Sequence, residues 1–526
     1  MPSTPVARRG MVTAPHHLAS AAGVDVLRDG GTAIEAMIAM AGAIAAAYPH
    51  MTGLGGDGFW LIAEPGRDPV AIDACGATGQ RVTPALYPDG AVPPRGPLAA
   101  NTVAGTLSGW AAALEINAGW GGRLPLDRLL ADAIDLARGG IAATDSQART
   151  TAAKRAELEA VPGFARTYLD DGAAPAAGAP YRQPRLAATL ERVAADGPDS
   201  FYRGDLARSV ADDLETVGAP IGLSDLESHY ARRVTPLSVA LSVGTIYNLP
   251  PPTQGLASLM ILGLFDRLGV ATAEGYDHVH GLVEATKRAF RVRDRVVRDP
   301  DHLAEDPAAF LTGRALRDLA REIDPDRALP WPESGDPGDT VWMGAIDGEG
   351  RAVSFIQSLF WEFGSGVVLP ETGLVWQNRG SSLSLDPAAA NTLAPGRKPF
   401  HTLNPALARL ADGRTVVYGT MGGEGQPQTQ AAVLTRYAWF GQGLQRAVAA
   451  PRWLLGRTWG AMSTSLKIES GLGDETIAAL CDAGHVVETV SDLDEIMGHA
   501  GALALRPDGF IEGAADPRAD GAAAGF

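Results

Sequence analysis

Residues 331–339, WPESGDPGD, interrupt the chain with two prolines and two glycines among acidic side chains. This composition is typical of an exposed, flexible linker. The pattern TVWMGAID, which begins at Thr340, then predicts a strand, and after a DGEG turn RAVSFIQSLF predicts a second one. A flexible linker therefore leads directly into a rigid strand, and any fold of this chain has to accommodate that junction.

Helical patterns dominate the part of the chain before this linker. Ser20–Arg28 has helical spacing, and Thr32 can cap a following helix. Residues 36–49 of that second helix are apolar on nearly every face, which predicts an interior position. Residues 58–63 predict a strand after a glycine-rich loop, and residues 124–324 are mostly helical in pattern.

One helix of this middle region is predicted in more detail. Residues 277–290 form a strongly amphipathic pattern, with Asp277 as the expected cap. Beyond the linker, the pattern continues with short strands, turns and a few helices. The whole chain therefore predicts an α+β fold in which helices pack on a core of two sheets.

Composition excludes several classes of function. The 526 residues are 46% hydrophobic and carry a net charge of −17, so the surface repels phosphate backbones and no nucleic-acid partner is expected. Residues 36–49 are too short to span a bilayer, and the N-terminus lacks the apolar run of a signal peptide. A cytoplasmic protein without a membrane partner is predicted. Cys75 and Cys481 make neither a disulfide framework nor a zinc site, and both are expected to be buried, inert thiols.

Thr340 is the first candidate for chemistry. A threonine hydroxyl is a weak nucleophile that needs a neighbouring base. If the chain were cut between Asp339 and Thr340, the new α-amino group, with a reference pKa near 8, would lie within reach of the same residue's hydroxyl. Taken by itself, however, a threonine at a strand start is commonly just a β-former.

Glycines provide the next candidates. Consecutive N–H groups at Gly422 and Gly423, in GTMGGEGQPQTQ, can point at one oxygen and form an oxyanion hole, although a plain turn has the same pattern. GLGGDG, residues 53–58, lacks the lysine and hydroxyl residue of a phosphate-binding loop, so that function is rejected. The spacing of two histidine pairs does not suit a metal, and surface or capping positions are expected for His16, His17, His278 and His280.

Several stretches, taken together and in order, resemble the γ-glutamyltransferase family of N-terminal-nucleophile hydrolases. Each is weakly specific alone, whereas the ordered set covers nearly the whole chain. They are GMVTAPHHLASAAGVDVLRDGGTAIEA, PHMTGLGGDGFWLI, PPPTQG, HVHGLVEATKRAF, DTVWMGAIDGEGRAVSFIQS, EFGSGVVLPETG, PFHTLNPAL, GTMGGEGQPQTQ, PRW and GAADPRADGAAAGF.

The resemblance implies an αββα sandwich and a precursor that cuts itself between Asp339 and Thr340. Residues 1–339 would form a large subunit and residues 340–526 a small one, together making one structural domain. Thr340 would be the nucleophile. Ser358 falls where the family has a second hydroxyl residue that bonds the nucleophile, and Gly422 and Gly423 fall on its oxyanion-hole pair.

The departures from the family concern the groups that bind a γ-glutamyl substrate. Cys75 lies near the position of the arginine that binds the α-carboxylate, and Ser382 replaces the aspartate that pairs with the ammonium. Phe360 replaces an asparagine, and His401–Thr402 replace a pair of serines. Because each lost charge pair costs roughly 2–5 kcal/mol, poor use of γ-glutamyl donors is predicted.

A different substrate follows from what replaces these groups. Arg379, together with His401, would bind a small carboxylate, and the same loops contribute Asn378, Ser382 and Thr402 to the predicted substrate-binding set. Large side chains would make the pocket small: Phe360, Trp361 and Trp342. The motifs most resemble the branch of the family that hydrolyses oxamate to oxalate and ammonia, in the catabolism of purine-derived nitrogen.

Three alternatives stay open at this point. They are a γ-glutamyl hydrolase or transpeptidase, an acylase for glutaryl or cephalosporin-type side chains, and an unprocessed binding protein on the same fold. The expected partners are the small amide and the chain's own two fragments as a heterodimer, with a further dimerisation left open. The resemblance implies neither a metal nor an organic cofactor.

Overall fold

Two large antiparallel sheets form the centre of the computed structural model, which describes residues 3–331, 339–456 and 464–526. Over these ranges the strands are β1 (Val6–Ala7), β2 (Gly10–Ala14), β3 (Asp57–Ala63), β4 (Val70–Ala74), β5 (Ile141–Ala142), β6 (Pro180–Tyr181), β7 (Arg232–Val234), β8 (Leu237–Leu241), β9 (Gly244–Asn248), β10 (Asp339–Asp347), β11 (Ala352–Phe360), β12 (Ala406–Leu410), β13 (Thr415–Thr420), β14 (Trp453–Leu455), β15 (Leu466–Glu469), β16 (Val487–Val490), β17 (Ala500–Leu505), β18 (Ile511–Ala515) and β19 (Ala522–Gly525).

The strand order mixes both ends of the chain in each sheet. Sheet A has the order β1-β18-β17-β13-β12-β9-β8, and sheet B has the order β19-β2-β10-β11-β3-β4-β7. All neighbours in both sheets are antiparallel. Strands β14, β15 and β16 form a small separate sheet, and β5 pairs with β6.

Helices cover both outer faces of the stacked sheets. They are α1 (His17–Arg28), α2 (Ala33–Ala47), α3 (Thr106–Gly119), α4 (Leu126–Gly139), α5 (Asp145–Leu158), α6 (Phe164–Tyr168), α7 (Pro184–Asp196), α8 (Asp205–Val217), α9 (Leu223–Glu227), α10 (Gly255–Phe265), α11 (Tyr276–Val296), α12 (Gly313–Ala320), α13 (Gln426–Leu434), α14 (Leu444–Ala449) and α15 (Asp474–Asp482). Helices α1, α2 and α3 pack on sheet B, whereas α10, α13 and α14 pack on sheet A. The layers are therefore helix, sheet, sheet and helix, as predicted.

The space between the sheets is filled by alternate residues of their strands. Trp342 and Ile346 of β10, Ile356 of β11 and Phe59 of β3 belong to one buried cluster with residues of sheet A. Alternation of side chains along a strand explains why the intervening residues of β10 pack against the helices instead. Gly419 on the opposite sheet leaves the room that the indole of Trp342 occupies.

The predicted burial and capping of α2 are confirmed, whereas the predicted cap of α11 is wrong. All fifteen residues of α2 are buried, and Thr32 forms a capping box with Glu35. Helix α11 begins at Tyr276 after the cap residue Gly275, so Asp277 lies in the first turn and is not the cap. An acidic residue there still interacts favourably with the helix dipole, which produces the same sequence pattern as a cap.

The middle of the chain contains strands that the helical pattern did not reveal. Strands β7, β8 and β9 fall within residues 124–324, and they extend sheets B and A at their edges. They are three to five residues long and only partly buried. The predicted linker, residues 331–339, falls mostly outside the described residues.

No helix in the described ranges combines the length and apolar character that a membrane crossing requires. Cys75 is buried, as expected, but Cys481 is exposed near the end of α15, so the prediction of two buried thiols is wrong for that residue. Its helix packs on the molecule with few buried positions, Leu480 being one.

Candidate active site

Thr340 lies at the start of β10, fully buried, with its side chain toward the space between the sheets. This orientation follows from Trp342, two residues further on, which faces the same space. The amide Nε2 of Gln426 donates a hydrogen bond of 3.4 Å to Thr340 Oγ1. The candidate nucleophile is thus anchored by a side chain from the opposite sheet's helix layer.

Ser358 and Asp57 lie on the next two strands of sheet B, in line with Thr340. Ser358 on β11 pairs with Asp57 on β3 in the ladder, and Ser358 shares its face with Ile356. A register shift next to Thr340 places Phe360 opposite Asp339, and the Phe360 N–H donates to Ser358 Oγ at 2.8 Å. Three polar side chains therefore form a row on one face of adjacent strands, at the edge of the sandwich core.

Gly422 and Gly423 form the turn between β13 and α13. Their φ angles are 119° and 52°, a region that side chains disfavour, which explains two consecutive glycines here. Among residues 3–331, 339–456 and 464–526, no acceptor is found for either backbone N–H. The turn leads within three residues to Gln426, which reaches Thr340. Two N–H donors with no acceptor in the described ranges thus lie on the turn that leads to the residue bonding Thr340.

A buried polar network holds this turn in place. Gln254 Nε2 donates to the carbonyl oxygens of Gly423 at 2.8 Å and Thr402 at 2.6 Å. Arg293 of α11 in turn donates to Gln254 Oε1 at 3.1 Å and to a carboxylate oxygen of Glu424 at 3.2 Å. Gln254 comes from the PPPTQG stretch, so one motif supports the turn formed by another.

The orientation of the Gln426 carboxamide is set by Asn404. The Asn404 backbone N–H and its side-chain Nδ2 donate to Gln426 Oε1 at 3.3 and 3.2 Å. Because that oxygen is the acceptor, the amide nitrogen is the end that points at Thr340. Sequence reasoning missed Gln426, although it lies in the quoted stretch GTMGGEGQPQTQ, because helical position alone does not show what its side chain reaches.

Arg379, the predicted carboxylate-binding residue, is buried at 1% exposure. Its guanidinium lies over the Phe360 ring, 3.7 Å from the centroid, and donates to Thr402 Oγ1 at 3.3 Å. Ser382 Oγ donates to the Arg379 carbonyl at 2.9 Å and supports this loop from within. The structure therefore brings Arg379, Thr402 and Phe360 together.

Asn378 of the predicted substrate-binding set, and Trp342 of the predicted pocket wall, make hydrogen bonds within the protein. The carboxamide of Asn378 is used at both ends, since it accepts from the Trp361 N–H at 3.1 Å and donates to the Pro94 carbonyl at 2.8 Å. Trp342 donates to Ser354 at 2.9 Å and fills the core between the sheets. Asn378 thus holds loops together, and Trp342 packs the core between the sheets.

His401 lies beside Asp57. Its Nε2 is 3.1 Å from Asp57 Oδ2, a close contact whose alignment is poor for a hydrogen bond. Burial, together with the charge of Arg379, holds the pKa of His401 well below its ordinary range, so the imidazole is neutral. Burial also raises the pKa of Asp57 to about 6, against the lowering effect of nearby hydrogen bonds and of Arg379. Asp57 belongs to the GLGGDG loop, for which sequence reasoning found no function.

Near Cys75, the positive charge of Lys398 is balanced by the carboxylate of Asp73. Lys398 Nζ lies 2.7 Å from Asp73 Oδ2, and both side chains are buried. Burial raises the pKa of the Cys75 thiol well above its usual range, and Asp73 adds to that effect. The thiol is therefore protonated, and Lys398 is committed to Asp73.

The histidines outside this region have structural positions. His278 and His280 are buried, so the predicted surface or capping position is wrong for both, whereas His16 caps α1 through the Leu18 N–H at 3.2 Å. His280, His485 and Glu284 lie close enough together to hold a metal ion. Their atoms are already committed, because the two imidazoles contact each other at 2.9 Å and the carboxylate pairs at 2.7 and 2.8 Å with neighbouring Lys287 and Arg288. A cation there would be repelled by these two positive charges.

Comparison with known sequences gives consistent similarities over the whole chain. Residues 19–526 match the gamma-glutamyltranspeptidase family. The chain is 57% identical to the oxamate amidohydrolase proenzyme of Klebsiella pneumoniae, over 100% of both chains. It is 30% identical to the glutathione hydrolase proenzyme of Escherichia coli K12, over 99% of this chain and 92% of that protein.

Comparison with solved structures gives the same result for the fold. The crystal structure of cephalosporin acylase from Bacillus halodurans matches with a TM-score of 0.92 and 31% identity, covering 100% of this chain and 97% of that one. The predicted αββα architecture is therefore confirmed.

Proposed function

This chain belongs to the gamma-glutamyltranspeptidase family and is a hydrolase of amide bonds, and from that premise we propose that it cuts itself before Thr340 and hydrolyses oxamate to oxalate and ammonia. The observation that carries the proposal is the hydrogen bond from Gln426 to Thr340, because Gln426 directly follows the turn whose two glycine N–H groups have no acceptor in the described residues. The name and 57% identity of the Klebsiella relative support the choice of substrate.

Self-cleavage would begin with attack of Thr340 Oγ on the carbonyl carbon of Asp339. The C–N bond breaks as the C–O bond forms, and the hydroxyl proton passes to the nitrogen, which becomes the α-amino group of Thr340. Water then hydrolyses the ester, leaving a carboxylate on Asp339. The fully buried position at the start of a rigid strand supports this step, because the hydroxyl has little freedom to turn away.

Turnover would use the same oxygen with the new amine as its base. Thr340 Oγ attacks the amide carbon while its proton moves to the α-amino group, whose reference pKa is near 8. The N–H groups of Gly422 and Gly423 stabilise the negative oxygen of the tetrahedral intermediate, and removal of such a donor typically costs about 10²–10³ in rate. The amine returns the proton to the departing nitrogen, ammonia leaves, and water releases oxalate from the ester.

Arg379 would bind the carboxylate of the substrate, assisted by Thr402 and by His401 as a neutral donor. Its burial and its place over Phe360 support this role, since a buried guanidinium binds a carboxylate strongly and in a defined direction. Asn378 and Ser382 would act by holding the loop that carries Arg379. A cephalosporin-type acylase is the second candidate, and the full-length match to the Bacillus halodurans structure favours it.

The two fragments, residues 1–339 and 340–526, would remain together as one domain after cleavage. Strands β10 and β11 of the second fragment lie between β2 and β3 of the first, and sheet A mixes both fragments in the same way. Separation would break the β2–β10 and β11–β3 ladders of sheet B and the β12–β9 ladder of sheet A. We place this activity in the cytoplasm and in the catabolism of purine-derived nitrogen.

Self-cleavage is tested with purified wild-type protein and the variant Thr340→Ala. The wild type should give two fragments whose N-termini are Met1 and Thr340, and the variant should stay in one piece without turnover. Thr13→Ala is a matched control, because Thr13 is a buried threonine on the adjacent strand β2. The one hydrogen bond found for its hydroxyl in the described residues goes to the Ala514 carbonyl. Turnover by intact Thr340→Ala would refute the proposal.

The substrate is tested with a panel on the matured enzyme. Ammonia release from oxamate should be far faster than hydrolysis of a γ-glutamyl anilide or a glutaryl amide, and Arg379→Ala should raise KM for oxamate more than it lowers kcat. If the glutaryl amide is the best substrate, the acylase is the correct assignment.

A further inference from the structure

Asp57 is a buried carboxylate that the proposed mechanism does not use. Its Oδ1 accepts the backbone N–H groups of Gly76 and Gly105, both at 3.0 Å. Its Oδ2 is 3.1 Å from His401 Nε2 and has no aligned hydrogen-bond donor among the described residues. One oxygen therefore fixes the carboxylate in place, while the other faces the residues of the candidate site.

The position of Asp57 in the sheet directs it toward the substrate. It lies two strands from Thr340 in the row that continues through Ser358, and neighbouring strands are about 4.8 Å apart. A small substrate attached to Thr340 and reaching toward Arg379 would therefore extend along this row. The carboxylate of Asp57 would then face the carboxylate of the substrate.

Within the described ranges, Arg379 is the ionised side chain whose positive charge stabilises the Asp57 carboxylate. On the facing loop His401 is neutral, and burial lowers the pKa of His229 to about 4, so that imidazole is neutral too. Lys398 is paired with Asp73. Among the remaining titratable neighbours, Cys75 and Tyr202 keep their protons, because burial raises the pKa of both side chains.

We propose that Asp57 makes the site specific for a substrate with a single negative charge. Asp57 and the substrate carboxylate share Arg379, and the site therefore binds a carboxylate only together with a proton on Asp57. This inference rests on the proposed binding of a carboxylate by Arg379. Two ionised carboxylates beside one guanidinium repel each other, and protonation of one removes the repulsion. The product oxalate has a second carboxylate, so an ionised Asp57 also favours its release.

The burial of Asp57 makes this proton linkage visible near neutral pH. Its pKa is raised to about 6 in the substrate-free site, so the residue is ionised at pH 7.5 and takes up a proton when an anion binds. Binding linked to one proton weakens about tenfold for each pH unit above that pKa. KM for oxamate should therefore rise steeply between pH 6.5 and 8.5, whereas KM for the neutral diamide oxamide should not.

The linkage is measured directly by calorimetry on the matured wild-type enzyme. Oxalate is titrated into the protein at pH 7.5 in two buffers with different ionisation enthalpies, and the difference gives the protons taken up. We expect a value near one per site, and a value near zero would overturn the proposal. This measurement needs no variant and no turnover.

Variants then assign the proton to a residue. Asp57→Asn keeps an oxygen for the Gly76 and Gly105 N–H groups, and it should abolish both the proton uptake and the rise in KM with pH. Asp213→Asn is the matched control, because Asp213 is a buried aspartate that also accepts backbone N–H groups, from Glu371 and Thr372. It should leave both measurements unchanged.

The results separate this inference from the proposed function. If Arg379→Ala raises KM for oxamate while Asp57→Asn keeps the wild-type proton uptake, the role of Asp57 is wrong and the proposed carboxylate binding stands. If Arg379→Ala leaves KM unchanged and oxamide binds as well as oxamate, carboxylate binding by Arg379 is wrong, and this inference falls with it.

Discussion

Replacement of Gln426 by methionine tests whether the contact to Thr340 contributes to both reactions of this oxygen. Methionine has a similar size and shape, so it fills the buried space without a hydrogen-bond donor. Gln426 Nε2 would no longer donate to Thr340 Oγ1, and Asn404 would lose the acceptor Gln426 Oε1. The two losses have different measurable effects.

The effect on stability follows from Asn404. Its Nδ2 keeps a partner in the Thr402 carbonyl at 2.9 Å, but its backbone N–H has only Gln426 Oε1 among the hydrogen bonds found in the described residues. A buried donor left without an acceptor costs about 1–3 kcal/mol. The free energy of unfolding of Gln426→Met should fall by that amount.

The effect on turnover follows from the charge that Thr340 Oγ1 carries during attack. Hydrogen bonds to charged groups contribute about 1.5–3 kcal/mol, which corresponds to roughly ten- to one-hundred-fold in kcat. Self-cleavage should slow by a similar factor, because the same oxygen attacks. The measurements are ammonia release under saturating substrate, and the appearance of fragments on a gel over time.

Gln428→Met is the matched control for this experiment. Gln428 lies on the same helix, is buried, and exchanges hydrogen bonds with the backbone of Leu455 at 2.8 and 3.0 Å. The control should lose stability as Gln426→Met does, while kcat and self-cleavage stay near the wild-type values. An unchanged kcat in Gln426→Met, or an equal loss in both variants, would show that the contact to Thr340 does not act in catalysis.

Three further predictions concern stability and reactivity. Gly419→Ala places a methyl group 2.2 Å from the indole packed on it, and the overpacking should lower the free energy of unfolding by about 1–3 kcal/mol, seen as a lower Tm. Burial lowers the pKa of His50 to about 3 and that of His499 to about 4, below the value of 6.5 in the unfolded chain. Each histidine therefore contributes stability that is present above pH 6.5 and is lost, at up to about 1.4 kcal/mol per pH unit, as the pH falls toward 4. His499→Gln should flatten the fall in Tm between pH 7 and 5, and an equally steep fall in that variant would refute this. Thiol titration of the folded protein should detect Cys481 at once and Cys75 only after unfolding, so two fast thiols would contradict the structure.

Local chemistry made several parts of this protein predictable. The interior position of α2 follows from apolar residues on every face, and its start follows from Thr32. The strand at Thr340 follows from its alternating pattern after a proline- and glycine-rich stretch. These features depend on neighbouring residues in the chain, and local propensities therefore suffice to predict them.

Other features depend on residues far apart in the chain. The burial of His278 and His280 was missed because polar residues on an amphipathic helix have the same pattern whether solvent or another buried polar group satisfies them. Strands β7, β8 and β9 were missed because each has at most five residues, too short a stretch to separate a strand pattern from the helical patterns around it.

The sequence by itself determined which residues could do chemistry: a threonine after a proline- and glycine-rich stretch, a glycine pair and an arginine in ordered motifs. Only the tertiary structure decided which partners they have. The strand register places Asp57 in line with Ser358, while helix α13 places Gln426 on Thr340 and the loop before β12 places His401 beside Asp57. Register and sheet packing are set by burial summed over the whole molecule, so no local stretch of sequence contains that information.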